Sequence, residues 1–519
     1  PLFQMLGAIF SILAFDVTQI AYAVNMMSVT SSALTIMFLF WSISLIAKEI
    51  LKVKEIVKVN EAIKIFGSSF LGSITFTFTD SFWYNAVEAE VYAMATLILS
   101  ILFWLGLKWA DEFENDRSDK WLILISFVSG LSFGVHFMGL LAIPSIVLIY
   151  FFKKRENFSY SNLNKIINPY LLFSLSTLIL FVFTFFGEDI FFFPLAVLTF
   201  LLTIFYIKRK NIIDNLWDNY FVYLFILIFA VAILFIVFKG LLPSTLSLFA
   251  NFEVFFVNDL GLPFNSGTIF TGLLLISIIY YSLTYTSKKK LYWLNTTILC
   301  LTFVFVGFSS WLMLPIRSNA NTVINENSPT DARSLLAYYN LEQYPDTYLF
   351  YGPMFSDIYA GQDPENPYKD DKPKYERDYE INKYVIVNDW ENGKINSNKS
   401  HEGFFPRMWS SDNAINYMNY YGFLDFEIKK EYRNEEQIVE LVNNFKTRVD
   451  EDDVDSEDYH EFLSNFGSYL DIEKPSFISN INYFLNFQLS KMYFRYFMWN
   501  FSGRQNDKQW KYDLENGNW

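Results

Sequence analysis

The chain has 519 residues, of which 52% are hydrophobic and 20% aromatic, and its mean hydropathy is positive. Such a composition is unusual for a soluble protein of this size and predicts a membrane protein. Residues 1–315 hold 19 basic and 19 acidic residues, so residues 316–519 carry the whole net charge of −14. Nucleic-acid-binding proteins need a basic surface, so the acidic tail argues against nucleic-acid binding. The single cysteine, Cys300, excludes an intrachain disulfide and a cysteine-ligated metal site.

The start of the chain shows neither the basic region nor the cleavage site of a signal peptide. We therefore expect an internal fragment of a longer protein, with a second domain that is incomplete at residue 519. Crossing about 30 Å of hydrocarbon at about 1.5 Å per residue takes roughly 20 residues. Segment 2–15 is too short for this and is expected to lie in the membrane interface. Ten hydrophobic spans are predicted after it: 22–47, 62–80, 88–109, 121–135, 138–152, 169–187, 189–207, 217–239, 267–285 and 291–315.

Basic clusters predict the orientation of these spans, because loops rich in lysine and arginine stay in the cytoplasm. The ten-span count places all four clusters on one side, which is then the cytoplasm. Loops 80–87, 136–137, 187–189 and 240–266 and the tail from Arg317 then lie outside. Alternatively, the short segments 121–135 and 138–152 form a re-entrant hairpin from the cytoplasm, with the same orientation. The clusters are Lys48/Lys52/Lys54/Lys58, Lys153/Lys154/Arg155, Lys208/Arg209/Lys210 and Lys288/Lys289/Lys290.

The tail mixes short strand-like and helix-like patterns, which predicts a soluble α/β domain over residues 316–519 outside the cytoplasm. Asp331 or Ser328 is suited to cap its first helix. The fold class is therefore mainly α: a bundle of about ten transmembrane helices in residues 1–315, followed by this domain. The predicted tail elements are strands 347–351 and 384–387, helices 331–342, 435–447 and 478–500, a loop at 361–375 and a solvated acidic patch at 450–458.

Three carboxylates, Asp80, Glu88 and Glu90, fall within eleven residues at an outer membrane boundary. Acidic residues near hydrocarbon are unfavourable and typically line a cavity or a pathway. We interpret them as candidate catalytic groups. In a purely structural alternative, Asn85 caps the next helix and Glu88 and Glu90 occupy its first turn, which leaves Asp80 unexplained.

Five further residues are candidates for binding a substrate. His136 lies between two glycines and suits a proton carrier or a ligand, or else a packed residue. The Arg317 guanidinium could bind a phosphate, and the amides of Asn319 and Asn321 could bind sugar hydroxyls. In the structural alternative, Arg317 snorkels to the membrane surface and the asparagines cap a turn. Asn265 lies in an outer loop that is rich in turn-forming residues. We interpret it first as a turn residue and second as a ligand.

The stretch 484–501 is apolar nearly all round and holds many aromatic residues. A helix of this kind is usually buried in a protein core. The alternative is a helix that rests on the outer membrane surface.

Several of these segments, in the same order along almost the whole chain, resemble a known family. This family is the protein O-mannosyltransferase-like multi-spanning membrane proteins of Bacteroidota, long catalogued as a domain of unknown function and related to an animal O-mannosyltransferase. Ala89 departs from the glycine that is common there, and residues 137–139 replace a more usual Leu-Leu-Asn. The matching segments are 80–83 (DSFW), 86–93 (AVEAEVYA), 134–136 (GVH), 141–144 (LAIP), 261–264 (GLPF), 317–321 (RSNAN), 325–329 (NENSP), 405–408 (FPRM) and 499–507 (WNFSGRQND).

The resemblance implies a membrane-embedded glycosyltransferase of the GT-C class. Such an enzyme moves a sugar, here mannose-like, from a polyprenyl-phosphate carrier to an acceptor, here protein Ser or Thr, on the periplasmic face of the bacterial inner membrane. The family's main catalytic Asp lies in a first outer loop. We expect that loop upstream of residue 1, so that the ten spans are the second to the eleventh.

On this basis Asp80, Glu88 and Glu90 orient the acceptor or hold a divalent cation, and Arg317 or His136 faces the carrier phosphate. The expected partners are membrane lipids, the lipid-linked sugar and a periplasmic protein acceptor. Two other classes stay open. One is a non-catalytic subunit of a cell-envelope complex that docks through the aromatic tail. The other is a lipid or solute transporter, for which an internal repeat is expected and none is found.

Overall fold

A computed structural model describes residues 1–156, 227–404 and 413–502, apart from residues 54, 56, 57, 116, 321, 347, 349 and 350. The predicted spans 169–187 and 189–207 and the basic cluster at 208–210 lie outside the described residues. The chain forms two compact units. The first comprises Pro1–Gln343 and Arg377–Tyr384, and the second comprises Tyr344–Glu376 and Val385–Trp519.

The first unit is built from α-helices whose apolar runs were visible in the sequence. The longest, α2, has 32 residues, and hydroxyls such as that of Thr35 donate to a carbonyl one turn earlier, which satisfies them within the helix. Lys52 ends α2 in a left-handed conformation (φ 52°). The helices are α1 (Leu2–Ile12), α2 (Ile20–Leu51), α3 (Val59–Thr77), α4 (Asp80–Val87), α5 (Val91–Asp111), α6 (Asp119–Ser132), α7 (Ala142–Glu156), α8 (Leu242–Asn258), α9 (Ser266–Lys288), α10 (Tyr292–Phe308), α11 (Met313–Ser318) and α12 (Ala332–Tyr339).

Five of the described helical segments are long and apolar enough to cross a membrane. Four of them coincide with the predicted spans 22–47, 88–109, 267–285 and 291–315, and the segment 2–15 contains the short helix α1. Helices α3, α6 and α7 also match predicted spans but fall short of this criterion, so the described residues hold five candidate spans, and the predicted number of about ten is not confirmed. The five are Val17–Leu51, Val91–Asp111, Leu227–Asn258, Ser266–Lys288 and Tyr292–Ser318.

The prediction of an outer loop over residues 240–266 is wrong for most of its length. A continuous helical segment, Leu227–Asn258, passes through a π-helical turn, Ile236–Leu241, into α8. Pro243 does not interrupt this segment, because it lies in the first turn of α8, a position that tolerates proline. The connection between α8 and α9 is thereby reduced to residues 259–265.

Helix α6 runs alongside α10 over the whole length of that helix. Thr296 bonds to Asp119 at one end (2.9 Å), and the Trp311 indole N–H donates to the Phe133 carbonyl at the other (2.7 Å). Between them, a Cβ atom on Gly307 would collide with the backbone of α6, so only glycine permits this approach.

Contacts within the first unit gather the basic clusters at one end of the helices. Lys153 of α7 pairs with Glu49 of α2 (3.6 Å), and the rings of Trp109 in α5 and Tyr150 in α7 stack 4.9 Å apart. The last turns of α2, α5 and α7 therefore lie together. The opposite end carries the connections 78–90, 133–141 and 309–320, which the contacts of Tyr92 with His136 and of Trp311 with Phe133 bring together.

The second unit packs short strands and helices around an aromatic core that includes Phe355, Tyr459 and Tyr483. Strands β1 and β6, β2 and β5, and β7 and β8 form antiparallel pairs. Strand β3 pairs with β4, and the two strands flank and partly include the segment Arg377–Tyr384 of the first unit. The strands are β1 (Tyr351–Pro353), β2 (Tyr368–Lys369), β3 (Tyr375–Asp378), β4 (Lys383–Ile386), β5 (Lys394–Ile395), β6 (Glu402–Phe404), β7 (Phe426–Ile428) and β8 (Leu470–Ile472). The helices are α13 (Asp357–Ala360), α14 (Ala414–Tyr421), α15 (Glu436–Asp450), α16 (Ser456–Phe466), α17 (Phe477–Tyr483), a π-helical segment (Phe484–Phe494) and α18 (Arg495–Ser502).

Most predicted tail elements are confirmed. Asp331 caps α12 in a reciprocal capping box with Ser334, and helices 435–447 and 478–500 correspond to α15 and to the run from α17 to α18. Strand 384–387 corresponds to β4, and the acidic side chains of 450–458 are exposed. Strand 347–351 lies mostly outside the described residues, and the predicted loop 361–375 contains the two-residue strand β2.

Candidate functional site at the outer helix ends

The three candidate carboxylates lie around α4. Asp80 is the first residue of α4, where the helix dipole favours an acid, and Glu88 and Glu90 belong to the extended connection to α5. All three side chains are exposed, and no side chain among the described residues donates a hydrogen bond to them. The alternative that Asn85 caps α5 is wrong, because its amide donates to the Ser81 carbonyl within α4 (2.7 Å).

His136 lies directly beside this connection. Its ring centroid is 5.5 Å from that of Tyr92, two residues after Glu90. The His136 Nδ1 atom accepts a hydrogen bond from the Met138 N–H (3.1 Å) and so caps the 3-10 turn Phe137–Leu141. Because Nδ1 accepts, the neutral ring carries its proton on Nε2, which can donate to a ligand.

Two further elements meet the turn that carries His136. The Phe3 N–H at the start of α1 donates to the Gly134 carbonyl (3.2 Å), and Trp311 bonds to Phe133. Arg317 follows Trp311 by six residues, which is about 9 Å along a helix. Its side chain is exposed in the last turn of α11, and the described part of the chain offers it no acidic partner. Carboxylates, an imidazole and a guanidinium therefore share this end of the helices.

The remaining predicted ligands differ in their surroundings. The Asn319 amide donates to the carbonyls of Pro315 and Thr330, both at 2.8 Å, and so fixes the turn that follows α11. Asn321 lies outside the described residues. Asn265 takes a left-handed conformation (φ 72°) at the start of α9, and its side-chain oxygen accepts from Arg377 (2.6 Å).

Asn265 belongs to a buried charge cluster that the sequence analysis missed. Its centre is the carboxylate of Glu253 in α8, which is fully buried. This carboxylate accepts hydrogen bonds from the backbone N–H of Asn265 and from both the N–H and the hydroxyl of Thr268 (2.9 Å each). It thus caps the N-terminus of α9, where the helix dipole favours a negative charge. The absence of a side chain at Gly267 lets α9 approach the backbone of α8 here.

Arg377 and Tyr384, at the two ends of the segment 377–384, complete this cluster. The Tyr384 hydroxyl donates to Glu253 (3.2 Å), and burial raises the pKa of Tyr384, so the hydroxyl keeps its proton. Arg377 lies 3.3 Å from Asp331 and 3.9 Å from Glu253, and its guanidinium is 5.1 Å from the Phe264 ring centroid. These polar groups bond to one another, so we assign the cluster to the fold and not to the chemistry. The sequence feature that could have revealed this cluster is an acidic residue, Glu253, inside the apolar run of α8.

No group of three or more His, Cys, Asp or Glu side chains placed to hold a metal ion is present in the described ranges.

Comparisons with known proteins bear on the part of the chain that holds the carboxylates and His136. Residues 1–159 match the family described as Protein O-mannosyl-transferase TMEM260 N-terminal domain. Residues 345–485, within the second unit, match a Family of unknown function (DUF8416). No curated protein and no solved structure matches the chain.

Proposed function

Because the chain belongs, through residues 1–159, to the protein O-mannosyltransferase-like family, we propose that it is a membrane-embedded glycosyltransferase of the GT-C class. Its donor is a polyprenyl-phosphate-linked sugar of the mannose type, and its acceptor is a Ser or Thr hydroxyl of a protein. The reaction takes place in the periplasm, on the outer face of a bacterial inner membrane. The family match is the observation that carries this proposal. The acids, the imidazole and the guanidinium at one end of the helices support it.

The reaction needs a base for the acceptor and charge stabilisation for the leaving group. The acceptor oxygen attacks the anomeric carbon, and the bond from that carbon to the phosphate oxygen breaks. The electron pair of this bond leaves with the polyprenyl phosphate, and the hydroxyl proton passes to a carboxylate.

The residues at the outer helix ends then take supporting roles. The carboxylates of Asp80, Glu88 and Glu90 face solvent and orient the acceptor or hold a divalent cation. The Arg317 guanidinium binds the carrier phosphate, since such a fork suits phosphate oxygens. His136 donates from Nε2 to the same phosphate. Asn321 stays a candidate for sugar contacts, whereas bonds within the fold already hold the side chains of Asn319 and Asn265.

A transfer assay on the full-length protein in nanodiscs tests this proposal. Radiolabelled mannosyl phosphoryl polyprenol is supplied with a Ser/Thr-rich peptide, and labelled peptide is measured over time. We expect Glu90→Gln, Asp80→Asn and Arg317→Met each to lower the rate by about tenfold or more. Glu49→Gln, at the opposite helix ends, and Arg433→Met, on the surface of the second unit, are matched controls.

Wild-type transfer rates in all three variants would refute the assignment of the site. A wild-type protein that binds neither donor nor acceptor, but purifies with fixed partners, would overturn the enzymatic proposal and favour a subunit of an envelope complex.

A further inference from the structure

The helical run from α17 to α18 has two unlike faces. One face packs into the core of the second unit: Tyr483 is 1% and Phe487 is 9% exposed. The other face carries large apolar side chains that are about half exposed, among them Tyr493 at 59% and Phe501 at 58%. We call this second set the aromatic face. It comprises Leu485, Tyr493, Phe494, Phe497 and Phe501.

The aromatic face is one continuous surface. Residues 494, 497 and 501 follow the spacing of a single helix face, with Tyr493 next to them. Their rings contact one another: Phe497 and Phe501 lie 5.4 Å apart, and Tyr493 and Phe494 lie 5.2 Å apart, between ring centroids. A contiguous exposed apolar patch of this kind marks an interaction surface.

The charge of this run distinguishes it from the rest of the tail. The 26 residues from 477 to 502 contain no acid, and their only charged side chains are Lys491 and Arg495, although residues 316–519 have a net charge of −14. The exposed acids of 450–458 lie on α15, α16 and the turn between them. The run that bears the aromatic face is therefore the part of the tail that an anionic membrane surface does not repel.

The chain also keeps this run close to a bilayer. The candidate span Tyr292–Ser318 ends 26 residues before the second unit begins at Tyr344, and the chain passes between the two units again at residues 376–377 and 384–385. These short connections to the unit that spans the membrane hold the second unit at a high effective concentration near the membrane surface. Tyrosine and phenylalanine side chains are typical of interfacial helices, whose apolar face enters the boundary between headgroups and acyl chains.

We propose that the aromatic face lies in the interfacial region of the same membrane that the first unit spans. The second unit is then held at the membrane both by its chain connections to the first unit and by this helix. This inference is independent of the proposed transferase activity.

Site-specific labelling of the full chain in nanodiscs tests the proposal. In a Cys300→Ala background, an environment-sensitive fluorophore is attached at Phe497→Cys, at Phe501→Cys, or at Glu440→Cys on the exposed side of α15 as a control. We expect the labels at 497 and 501 to emit at shorter wavelength than the control. They should be quenched by lipids with a nitroxide just below the headgroup, which corresponds to a depth of about 5–10 Å. Phosphatidylcholine bilayers with and without phosphatidylglycerol should both give this result.

Two outcomes would overturn the proposal. Equal quenching by aqueous iodide at 497, 501 and 440 would show a solvated face. Protection of 497 and 501 from both iodide and the lipid nitroxide would show that protein covers the face. The use of two labelled positions guards against a single substitution that disturbs the helix.

Discussion

Removal of the Arg377 side chain is the sharpest test of the buried charge cluster. In Arg377→Met, the hydrophobic stem is kept and the guanidinium is lost. Glu253, which is fully buried, and Asp331, whose side chain is 8% exposed, then lose their cation, and the Asn265 side-chain oxygen loses its donor. Such a loss leaves buried negative charge without compensation, which destabilises the folded state.

The geometry sets the size of this effect. Breaking a buried ion pair by removing one partner typically costs about 3–5 kcal/mol of folding free energy. The value here should lie near the lower end, about 3 kcal/mol, because four donors continue to hold Glu253 and the Arg377–Glu253 distance is long at 3.9 Å. Arg433→Met removes a shorter pair, with Glu427 at 2.9 Å, but that pair is exposed and should be worth at most about 1 kcal/mol.

Thermal inactivation of the protein in nanodiscs is the suitable assay, because membrane proteins of this size rarely unfold reversibly. A loss of about 3 kcal/mol shortens the half-life at a fixed temperature by up to about a hundredfold. Glu253→Gln combined with Arg377→Met should cost less than the sum of the single changes, since the two groups share one network. Equal half-lives for Arg377→Met and Arg433→Met would refute the view that the burial of an ion pair, and not the distance between its charges, decides how much the pair stabilises the fold.

Three more predictions concern other parts of the chain. Gly307→Leu should separate α6 from α10 and abolish recovery of folded protein by size-exclusion chromatography, whereas Gly67→Ala, with no neighbour near its Cβ, should behave as wild type. Burial raises the pKa of Asp357 to about 6, so the folded state holds a proton that the unfolded state releases near pH 4. The melting temperature should therefore fall as the pH rises from about 4 through about 6. Asp357→Asn should reduce this dependence of the melting temperature on pH. The Trp121 indole N–H, together with Lys120 and Lys108, holds the pKa of Glu112 near 2, and Trp121→Phe should raise that pKa in a carboxylate titration by NMR.

Local signals in the sequence predicted most helices correctly. Long apolar runs marked α2, α5, α9 and α10, and Asp331 marked the start of α12. The outer loop expected over residues 240–266 was wrong for most of its length, because a π-helical turn leads directly into α8 and the proline lies in the first turn of that helix. The contact of Tyr384 with Glu253 joins residues 131 positions apart, and no local pattern encodes such a pairing.

The polar residues at the outer ends of the helices fall into two groups, and this division is the strongest structural guide to the site. Glu253 and Arg377 bond to neighbours, so the fold accounts for their presence. Glu90 and Arg317 are exposed, and within the described ranges their charged groups have no hydrogen-bonding or ion-pair partner. Because exposed charges contribute little to stability, we propose that these two groups serve a ligand. Replacing the second group should therefore alter transfer and leave thermal stability unchanged, whereas replacing the first group should lower stability.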